Sequence, residues 1–241
     1  MRKRVVITGL GTINPLGDTL DGYYDNLING ISGVKRWESI DVSAIECQVG
    51  GDLGDYDWKA KFEEYRDSFS EKQFKRIRKL FRTSTFSAKI GTLSALSAYQ
   101  NAGLLGMEID EYRTSIIVAG HNLNSNYVFE NAKQYLEEPE FIDPLCGVEA
   151  IDPNVAATIS EALQIHGPAF TIGGACASGN LAMREGFRDI ILGECDRAII
   201  AGAPFDVSPP DIQASVIINA VVVKRELQED PEKASRPFDA G

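Results

Sequence analysis

The amino-acid sequence predicts an α/β fold in which a largely parallel sheet carries helices on both faces. Short runs rich in β-branched residues end at glycine, segments of helical length follow them, and the two kinds of segment alternate along the chain. Parallel strands need a crossover connection, which is usually helical, so this alternation is typical of a parallel sheet. A chain of 241 residues has enough apolar material for one large domain or two small ones.

Four segments are predicted to be strands. They span residues 4–9, 114–120, 170–172 and 197–202. Short continuous apolar runs of this kind are typical of strands buried inside a parallel sheet.

The first run leads into Gly9-Leu10-Gly11, for which we predict a tight turn and not a nucleotide-binding loop. Asn14 stands where the third glycine of a dinucleotide fingerprint belongs, and no helix start follows it.

The predicted helices have recognisable start and stop residues. Asp18 or Thr19 can cap a first helix, and Ser70 with Gln73 three residues later is typical of a capping box. Gly103 ends a long segment rich in alanine, serine and leucine. Helices are therefore predicted near residues 19–29, 84–102, 154–165 and 181–193, with a further one beginning after Ser70. Residues 37–70 are predicted to be irregular with short helices, and residues 132–144 to form an acidic surface segment.

Charge and cysteine content exclude several classes of protein. The formal net charge is −11, whereas a general nucleic-acid binder presents positive charge to phosphates. No apolar run approaches the roughly 20 residues that span a bilayer. The four cysteines are widely spaced and form no CxxC pair, so we expect neither a metal site nor a disulfide framework. This cysteine usage indicates a reducing compartment, and we expect a cytoplasmic protein.

Cys176 is the candidate catalytic residue. A predicted strand and two glycines precede it, and a predicted helix follows it. A thiol in such a turn lies near the positive end of the helix dipole and near unpaired backbone N–H groups, which favour the nucleophilic thiolate. The same N–H groups can stabilise an oxyanion on an attacked thioester carbonyl. The alternative is a buried, inert cysteine, which is the role expected for Cys47, Cys146 and Cys195.

Four segments, in order along the chain, match the motifs of one known family. They are Arg4-Val5-Val6-Ile7-Thr8-Gly9-Leu10-Gly11 with Asn14-Pro15-Leu16-Gly17, then Gly167-Pro168 with Thr171-Ile172 and Ala175-Cys176-Ala177-Ser178-Gly179, then Arg197-Ala198-Ile199-Ile200-Ala201-Gly202-Ala203, and last Ala234-Ser235-Arg236-Pro237-Phe238-Asp239. Through these segments the sequence resembles the β-ketoacyl synthases of the thiolase superfamily, the condensing enzymes of fatty-acid and polyketide synthesis.

The resemblance implies a thiolase-like layered α/β fold (αβαβα). Residues 1–241 would form its N-terminal half, with a cap-type insertion at about residues 34–84. It also implies that Cys176 takes an acyl group from a pantetheine thioester, and that the acyl-enzyme then condenses with a decarboxylating malonyl thioester. The expected partner is an acyl carrier protein. Its phosphopantetheine acts as a group carrier, so no cofactor belonging to this chain is expected.

Two features of the family are missing from this sequence. The family places two catalytic histidines in its second half, one in an HGTxT-like motif, and neither His121 nor His166 matches such a position. The chain stops at Asp239-Ala240-Gly241, where the family continues with an RDGFV-like stretch and a whole second half. We therefore expect this chain to be the leading part of a longer protein or to need a complementary polypeptide.

The resemblance also suggests residues for substrate and partner binding. Asn122 falls where chain-elongating relatives often place an apolar residue of the acyl pocket, beside polar His121, which favours a short or hydrogen-bonded acyl group unless these side chains point elsewhere. Lys79 and Arg82 belong to the one dense basic segment, and relatives dock the acidic carrier with basic residues there; a solvated helix face is the alternative. The family pairs its subunits near Phe170-Thr171-Ile172, as a homodimer or a heterodimer.

Two further functions are compatible with the same fold. One is that of a non-catalytic partner in a heterodimeric synthase, like a chain-length factor. Such partners usually lack the nucleophilic cysteine, so Cys176 argues against this role. The other is that of an enzyme that stops at acyl transfer or decarboxylation. Two correctly placed histidines in the C-terminal half would favour condensation.

Overall fold

A computed structural model describes residues 4–236 of the chain. Helices and strands cover most of these residues. In chain order the described elements are α1 (Leu20–Ile28), β1 (Lys35–Arg36), β2 (Val49–Gly50), α2 (Trp58–Glu63), α3 (Glu71–Leu80), α4 (Phe86–Asn101), β3 (Thr114–Ala119), α5 (Ser125–Glu137), α6 (Cys146–Glu149), α7 (Pro153–Leu163), β4 (Ala169–Ile172), α8 (Ser178–Leu192), β5 (Arg197–Gly202), α9 (Pro209–Ile217) and α10 (Arg225–Glu229).

The described chain forms two compact units. Residues 4–11 and 58–206 make the larger unit, and residues 12–57 and 207–236 make the smaller one. The smaller unit contains the two-stranded antiparallel sheet of β1 and β2 and an apolar cluster around Val42, Cys47 and Ile212. The proposed insertion at residues 34–84 stays a prediction. No described helix is long and apolar enough to cross a membrane.

A three-stranded parallel sheet forms the centre of the larger unit. Its strand order is β4-β3-β5, and both outer strands run parallel to β3. Ala119 at the end of β3 is level with Ile172 on one side and Gly202 on the other. The predicted strands at residues 114–120, 170–172 and 197–202 are confirmed. Their carboxyl ends, and the loops that follow them, therefore meet at one edge of the sheet.

Strand β3 is buried along its whole length, and its two faces contact different helices. Ile116 and Val118 point to the face covered by α4 and α7, whereas Ile117 and Ala119 pack with Ala182 of α8 on the opposite face. This division follows from the two-residue period of a strand. Burial of each isoleucine or valine contributes about 1.5–3 kcal/mol. The prediction of helices on both faces of a parallel sheet is confirmed.

The predicted helix boundaries are confirmed where a capping side chain or a left-handed glycine marks them. The Thr19 hydroxyl accepts a hydrogen bond from the N–H of Gly22 at the start of α1, and Ser70 and Gln73 form the predicted capping box of α3. Gly103 follows α4 with φ +69°. The sequence prediction missed helix α5, whose C-terminal part overlaps the expected acidic surface segment.

The prediction of a strand at residues 4–9 is wrong for the described structure. The segment forms no strand, and Val6 and Ile7 expose 60% and 70% of their surfaces. The end of the segment contacts α4 instead, where the N–H of Leu10 donates to Oδ1 of Asn101 over 2.9 Å. A Cβ on Gly11 would lie 2.4 Å from the carbonyl oxygen of Ser94. The glycines therefore bring this backbone against a helix, where no strand hydrogen bonds are available. Pro237-Phe238-Asp239, the end of the last motif, lies outside the described residues.

We predict that Gly11→Ala destabilises the protein and that Gly147→Ala does not. The methyl group at residue 11 would overlap the backbone of α4, and such overpacking costs about 1–3 kcal/mol. A Cβ at Gly147 has no heavy atom within 4 Å, so alanine there should leave stability unchanged or raise it by about 0.4–1 kcal/mol. Urea denaturation of both variants measures the difference. Equal free energies of unfolding would contradict the close approach at Gly11.

Candidate active site at the carboxyl end of the sheet

The loops after β3 and β4 lie side by side. The N–H of Gly120 donates to the carbonyl oxygen of Ile172 over 3.0 Å. At the next residue of each loop, a Cβ added to Gly173 would lie 3.3 Å from Cβ of His121. In open α/β sheets, binding sites form outside the carboxyl ends of the strands. The His121 loop and the turn that carries Cys176 therefore occupy the expected place for a site.

Cys176 lies in a single 3₁₀ turn, Ala175–Ala177, between β4 and α8. Its side chain is exposed, whereas Cys47 and Cys195 are buried and Cys146 is half-buried. Ala175 has φ +49°, a left-handed conformation that is uncommon for a residue with a Cβ. Strained backbone of this kind costs on the order of 1–3 kcal/mol and is concentrated at functional sites. The turn therefore presents Cys176 to the solvent at the cost of local strain.

Hydrogen bonds of Ser178 hold the strained turn in place. The N–H of Gly174 donates to Oγ of Ser178 over 2.9 Å, and that hydroxyl donates to the carbonyl oxygen of Ala175 over 2.7 Å. A Cβ on Gly174 would lie 2.2 Å from Cδ1 of Leu181, so any other residue there would displace the Leu181 side chain. Sequence reasoning did not identify Ser178 as a positioning residue. A serine at the first position of a helix was the available signal.

The position of Cys176 suits a nucleophile. Helix α8 runs for 15 residues and begins two residues after the thiol. The N-terminus of a helix offers unpaired N–H groups and a positive dipole end, both of which attract negative charge. These groups can stabilise an attacking thiolate and the oxyanion that forms on the attacked carbonyl. The position therefore has the features that formation and release of a thioester require.

Asp152 fixes the loop that carries His121 and Asn122. Its two carboxylate oxygens accept hydrogen bonds of 2.8 Å each from the N–H groups of Asn122 and Leu123. Its carbonyl oxygen accepts from Oγ1 of Thr171 in β4 over 3.0 Å. Asn122 itself has φ +52°, so the carboxylate stabilises a second left-handed residue beside the thiol turn. Sequence reasoning missed Asp152, because its contacts join residues far apart in the chain.

The structure brings some of the predicted site residues together and separates others. His121 and Asn122 are exposed beside the Cys176 turn, and Asn122 lines a cavity of about 370 Å³. His166 precedes β4 and lies at the amino end of the sheet, with Nε2 4.0 Å from the carboxylate of Glu111. It is therefore at the opposite end of β4 from Cys176.

The basic segment lies on α3 and the turn after it. Its exposed members are Lys72, Lys75, Arg78, Lys79 and Arg82. Lys75 forms a 2.6 Å ion pair with Glu71, and Nε of Arg76 lies 3.4 Å from the carboxylate of Glu161 in α7. Within residues 4–236, no carboxylate lies within ion-pair distance of Lys79 or Arg82. Both cations are therefore available to an outside partner.

Asp206 ends the loop after β5 and caps helix α5. Its backbone carbonyl accepts a 2.8 Å hydrogen bond from the N–H of Asn126, and its N–H donates to the carbonyl of Leu123. Burial raises the pKa of the Asp206 carboxyl from 3.8 to about 6, although hydrogen bonds from the Tyr127 N–H and the Asn126 side chain oppose the shift. The loops that follow β3 and β5 thus meet at the start of α5.

One family model, described as the N-terminal domain of β-ketoacyl synthases, matches residues 2–241. The chain belongs to the β-ketoacyl synthase family. The resemblance inferred from its motifs is confirmed over nearly the whole sequence.

Curated members of the family cover this chain almost completely. A malonyl-ACP decarboxylase of polyketide biosynthesis, PksF from Bacillus subtilis, is 26% identical over 98% of this chain and 52% of its own length. The chloroplastic 3-oxoacyl-[acyl-carrier-protein] synthase I of Arabidopsis thaliana is 27% identical over 99% of this chain and 48% of its own length. The chain therefore spans about half the length of these relatives.

A solved ketosynthase structure has the same fold. The ishigamide ketosynthase/chain length factor superposes with a TM-score of 0.78 at 22% identity, over 92% of this chain and 52% of that one. The thiolase-like α/β fold of the synthase family is thus confirmed for this chain, which corresponds to the N-terminal portion.

We predict that Asp206 makes the stability of the protein depend on pH between about 4 and 6. Its pKa is raised in the folded state, so protonation favours folding. The free energy of unfolding should fall as pH rises through this window, by on the order of 2–3 kcal/mol, and this contribution should stay constant at higher pH. Asp206→Asn should remove the fall and stabilise the protein at pH 7. Urea denaturation at pH 4.5 and 7 tests this, and an equal fall in both proteins would contradict it.

Proposed function

We propose that this chain is the nucleophile-bearing half of a β-ketoacyl-acyl-carrier-protein synthase of polyketide or fatty-acid biosynthesis. The observation that carries the proposal is the exposed Cys176 in a strained turn at the start of α8. A structural cysteine gains nothing from exposure at a helix N-terminus, whereas a thioester-forming cysteine needs both. Family membership supports this reaction class.

In the first step, Sγ of Cys176 attacks the carbonyl carbon of an acyl thioester. A bond forms between Sγ and the acyl carbon, the bond to the pantetheine sulfur breaks, and that sulfur leaves as a thiol after taking up a proton. The negative charge that develops on the carbonyl oxygen faces the N-terminal end of α8, where backbone N–H groups are available. The product is a thioester on Cys176.

In the second step, a malonyl thioester loses carbon dioxide and its α-carbon attacks the acyl-enzyme carbonyl. The new carbon–carbon bond expels Cys176 as the thiolate, which completes a decarboxylative Claisen condensation. The family's two histidines that assist this step lie in its second half. His166 is at the opposite end of β4, and His121 matches neither family position. We therefore assign these proton-transfer roles to residues outside this chain.

We assign His121 and Asn122 to the wall of the acyl-binding site. Both are exposed beside the Cys176 turn, and Asn122 lines the adjoining cavity. A polar wall favours a short acyl group or one that forms hydrogen bonds. The phosphopantetheine arm belongs to the carrier protein, so the chain needs no cofactor of its own for this chemistry.

The proposed partners are an acyl carrier protein and a second synthase subunit. Lys79 and Arg82 give a carrier an exposed positive contact on an otherwise acidic chain. Strand β4 is an edge strand in the described sheet, which makes the Phe170–Ile172 region suitable for pairing with another sheet in a homodimer or heterodimer. The free thiol of Cys176 is consistent with a reducing cytoplasm.

Decarboxylation without condensation is the second candidate function. The observation that favours it is the name of one relative, a malonyl-ACP decarboxylase. Such an enzyme would release an acetyl thioester from a malonyl thioester and form no carbon–carbon bond. The role of a non-catalytic chain-length factor is less consistent with the exposed cysteine.

Replacing Cys176 by alanine should abolish acyl-enzyme formation and leave the fold intact, because the exchange removes only an exposed sulfur. We would incubate the full-length protein with an acyl-carrier thioester and measure its intact mass. Cys146→Ala, at a half-buried thiol on α6, is the matched control and should still be acylated. Addition of a malonyl thioester to the acylated wild-type protein then separates the two candidate functions. A 3-ketoacyl product indicates condensation, and an acetyl thioester alone indicates decarboxylation. A stable acyl label on Cys176→Ala would refute the assigned nucleophile.

Charge reversal at Lys79 and Arg82 should raise KM for a carrier-bound thioester by roughly tenfold, because two exposed ion pairs with the carrier are lost. KM for a small pantetheine mimic should hardly change. The difference should shrink as salt rises, since exposed charges are screened beyond about 10 Å at roughly 0.1 M ionic strength. Lys133→Glu, an exposed lysine on α5, is the control. Equal losses with both substrates would eliminate the docking role.

A further inference from the structure

Ser87 contacts two loops of the candidate site through one buried hydroxyl group. It lies in the first turn of α4, and 0% of its surface is exposed. Its Oγ lies 2.6 Å from the carbonyl oxygen of Leu123 and 2.8 Å from the carbonyl oxygen of Pro204. Leu123 belongs to the loop after β3, and Pro204 belongs to the loop after β5. A side chain of the helical layer therefore connects two loops at the carboxyl edge of the sheet.

Helix capping does not explain the hydrogen bonds of Ser87. A serine at the start of a helix commonly bonds to backbone groups of its own neighbours. At α4 this role belongs to Thr85, whose Oγ1 accepts a hydrogen bond from the N–H of Ala88. The two carbonyl groups that Ser87 contacts are 36 and 117 residues away along the chain. The hydroxyl group therefore holds the tertiary arrangement of the loops and not the start of the helix.

The Ser87 hydroxyl has one proton and two carbonyl acceptors. The proton is therefore shared, as in a three-centre hydrogen bond. Because both carbonyl oxygens lie within hydrogen-bond distance of one atom, a shift of either loop lengthens one of the two contacts. A buried carbonyl group that loses its donor costs free energy. The position of one loop is thus linked to the position of the other.

The backbone of Leu123 is held from three directions. Its carbonyl oxygen accepts from Ser87 and also from the N–H of Asp206 over 2.9 Å. Its N–H donates to the carboxylate of Asp152 over 2.8 Å. Of these three partners, Ser87 alone lies within a helix or strand. The contact from Ser87 therefore attaches the loop to the helical layer, whereas the other two attach it to neighbouring loops.

The loop that Ser87 holds borders the Cys176 turn. A Cβ added to Gly173 would lie 3.3 Å from Cβ of His121, which is two residues before Leu123. Gly173 is itself three residues before Cys176. A change in the path of residues 121–123 therefore changes the space beside the turn that carries the thiol.

We propose that Ser87 is a positioning residue for acyl transfer, because its hydroxyl group fixes the loop that forms the proposed acyl-binding wall. The inference rests on the proposed function, in which Cys176 takes the acyl group. Ser87 is completely buried, so it acts through the backbone of Leu123 and not by contact with the substrate. A wall held in one position discriminates between acyl groups of different size, and a wall that has lost this contact discriminates less.

The test measures the rate of acylation of Cys176 in the full-length protein by two small pantetheine thioesters, acetyl and octanoyl. The wild type should prefer acetyl. Ser87→Ala should reduce this preference about threefold to tenfold, the effect of one neutral hydrogen bond. Ser87→Cys keeps a weak donor, should give an intermediate preference and serves if the alanine variant misfolds. Peptide mass mapping assigns the acyl label to Cys176.

Thr92→Val is the matched control on the same helix. Thr92 is also completely buried, but its hydroxyl donates to the carbonyl oxygen of Ala88 within α4 over 2.7 Å. Each exchange removes one buried hydroxyl group, and urea denaturation compares their effects on stability. Thr92→Val should leave the ratio of the two acylation rates unchanged, because it breaks no contact with a loop. The ratio thus separates a role in positioning from a general loss of stability.

The outcomes distinguish this inference from the proposed function. The same acetyl-to-octanoyl ratio in wild type, Ser87→Ala and Ser87→Cys overturns the positioning role and leaves the proposed function in place. An equal change of the ratio in Thr92→Val, or a wild-type preference for octanoyl, also overturns it. Failure of every thioester, malonyl included, to acylate Cys176 overturns the proposed function and the positioning role together.

Discussion

The pairing of β3 on both of its edges is the constraint on which the rest of the larger unit depends. Because β3 is completely buried, its backbone groups need strand partners on both sides, and β4 and β5 provide them in parallel register. Its alternating side chains then require one helical layer on each face. The parallel direction also decides where function can lie, since it brings three strand ends, and their loops, to the same edge of the sheet.

Hydrogen bonds to backbone groups convert that common edge into a defined site. Ser178 closes the Cys176 turn, Asp152 closes the loop of Asn122, and Asp206 caps the helix that follows that loop. Each of these side chains bonds to backbone groups, so each fixes the path of the chain rather than a single neighbour. Two left-handed residues, Ala175 and Asn122, are held in place by these contacts. Strain at the site is thus balanced by hydrogen bonds that converge on it.

The chemistry proposed for the chain follows from the positions of these loops and of the start of α8. In this proposal the turn before α8 provides the nucleophile, the start of α8 provides a positive end for the oxyanion, and the loop after β3 forms a wall of the acyl-binding site. Proton transfer is assigned to residues outside the chain. Of its two histidines, His166 lies at the far end of β4 and His121 matches neither histidine position of the family. The proposal therefore assigns binding and nucleophilic attack to neighbouring loops of one sheet edge.

The sequence by itself determined the strands at the centre of the sheet, most helix ends, the family and the candidate nucleophile. These features depend on local chemistry: an apolar run ending in glycine, a capping box at Ser70, and a cysteine between a strand and a helix. The failed strand at residues 4–9 shows the limit, because its apolar residues matched a buried strand while its glycines pack against α4. Only the tertiary structure decided that Asp152 holds the Asn122 loop, that Asp206 caps α5, and that the Asn124 amide is buried without a hydrogen bond among the described residues. Those roles arise from contacts between residues distant in sequence, which no local pattern records.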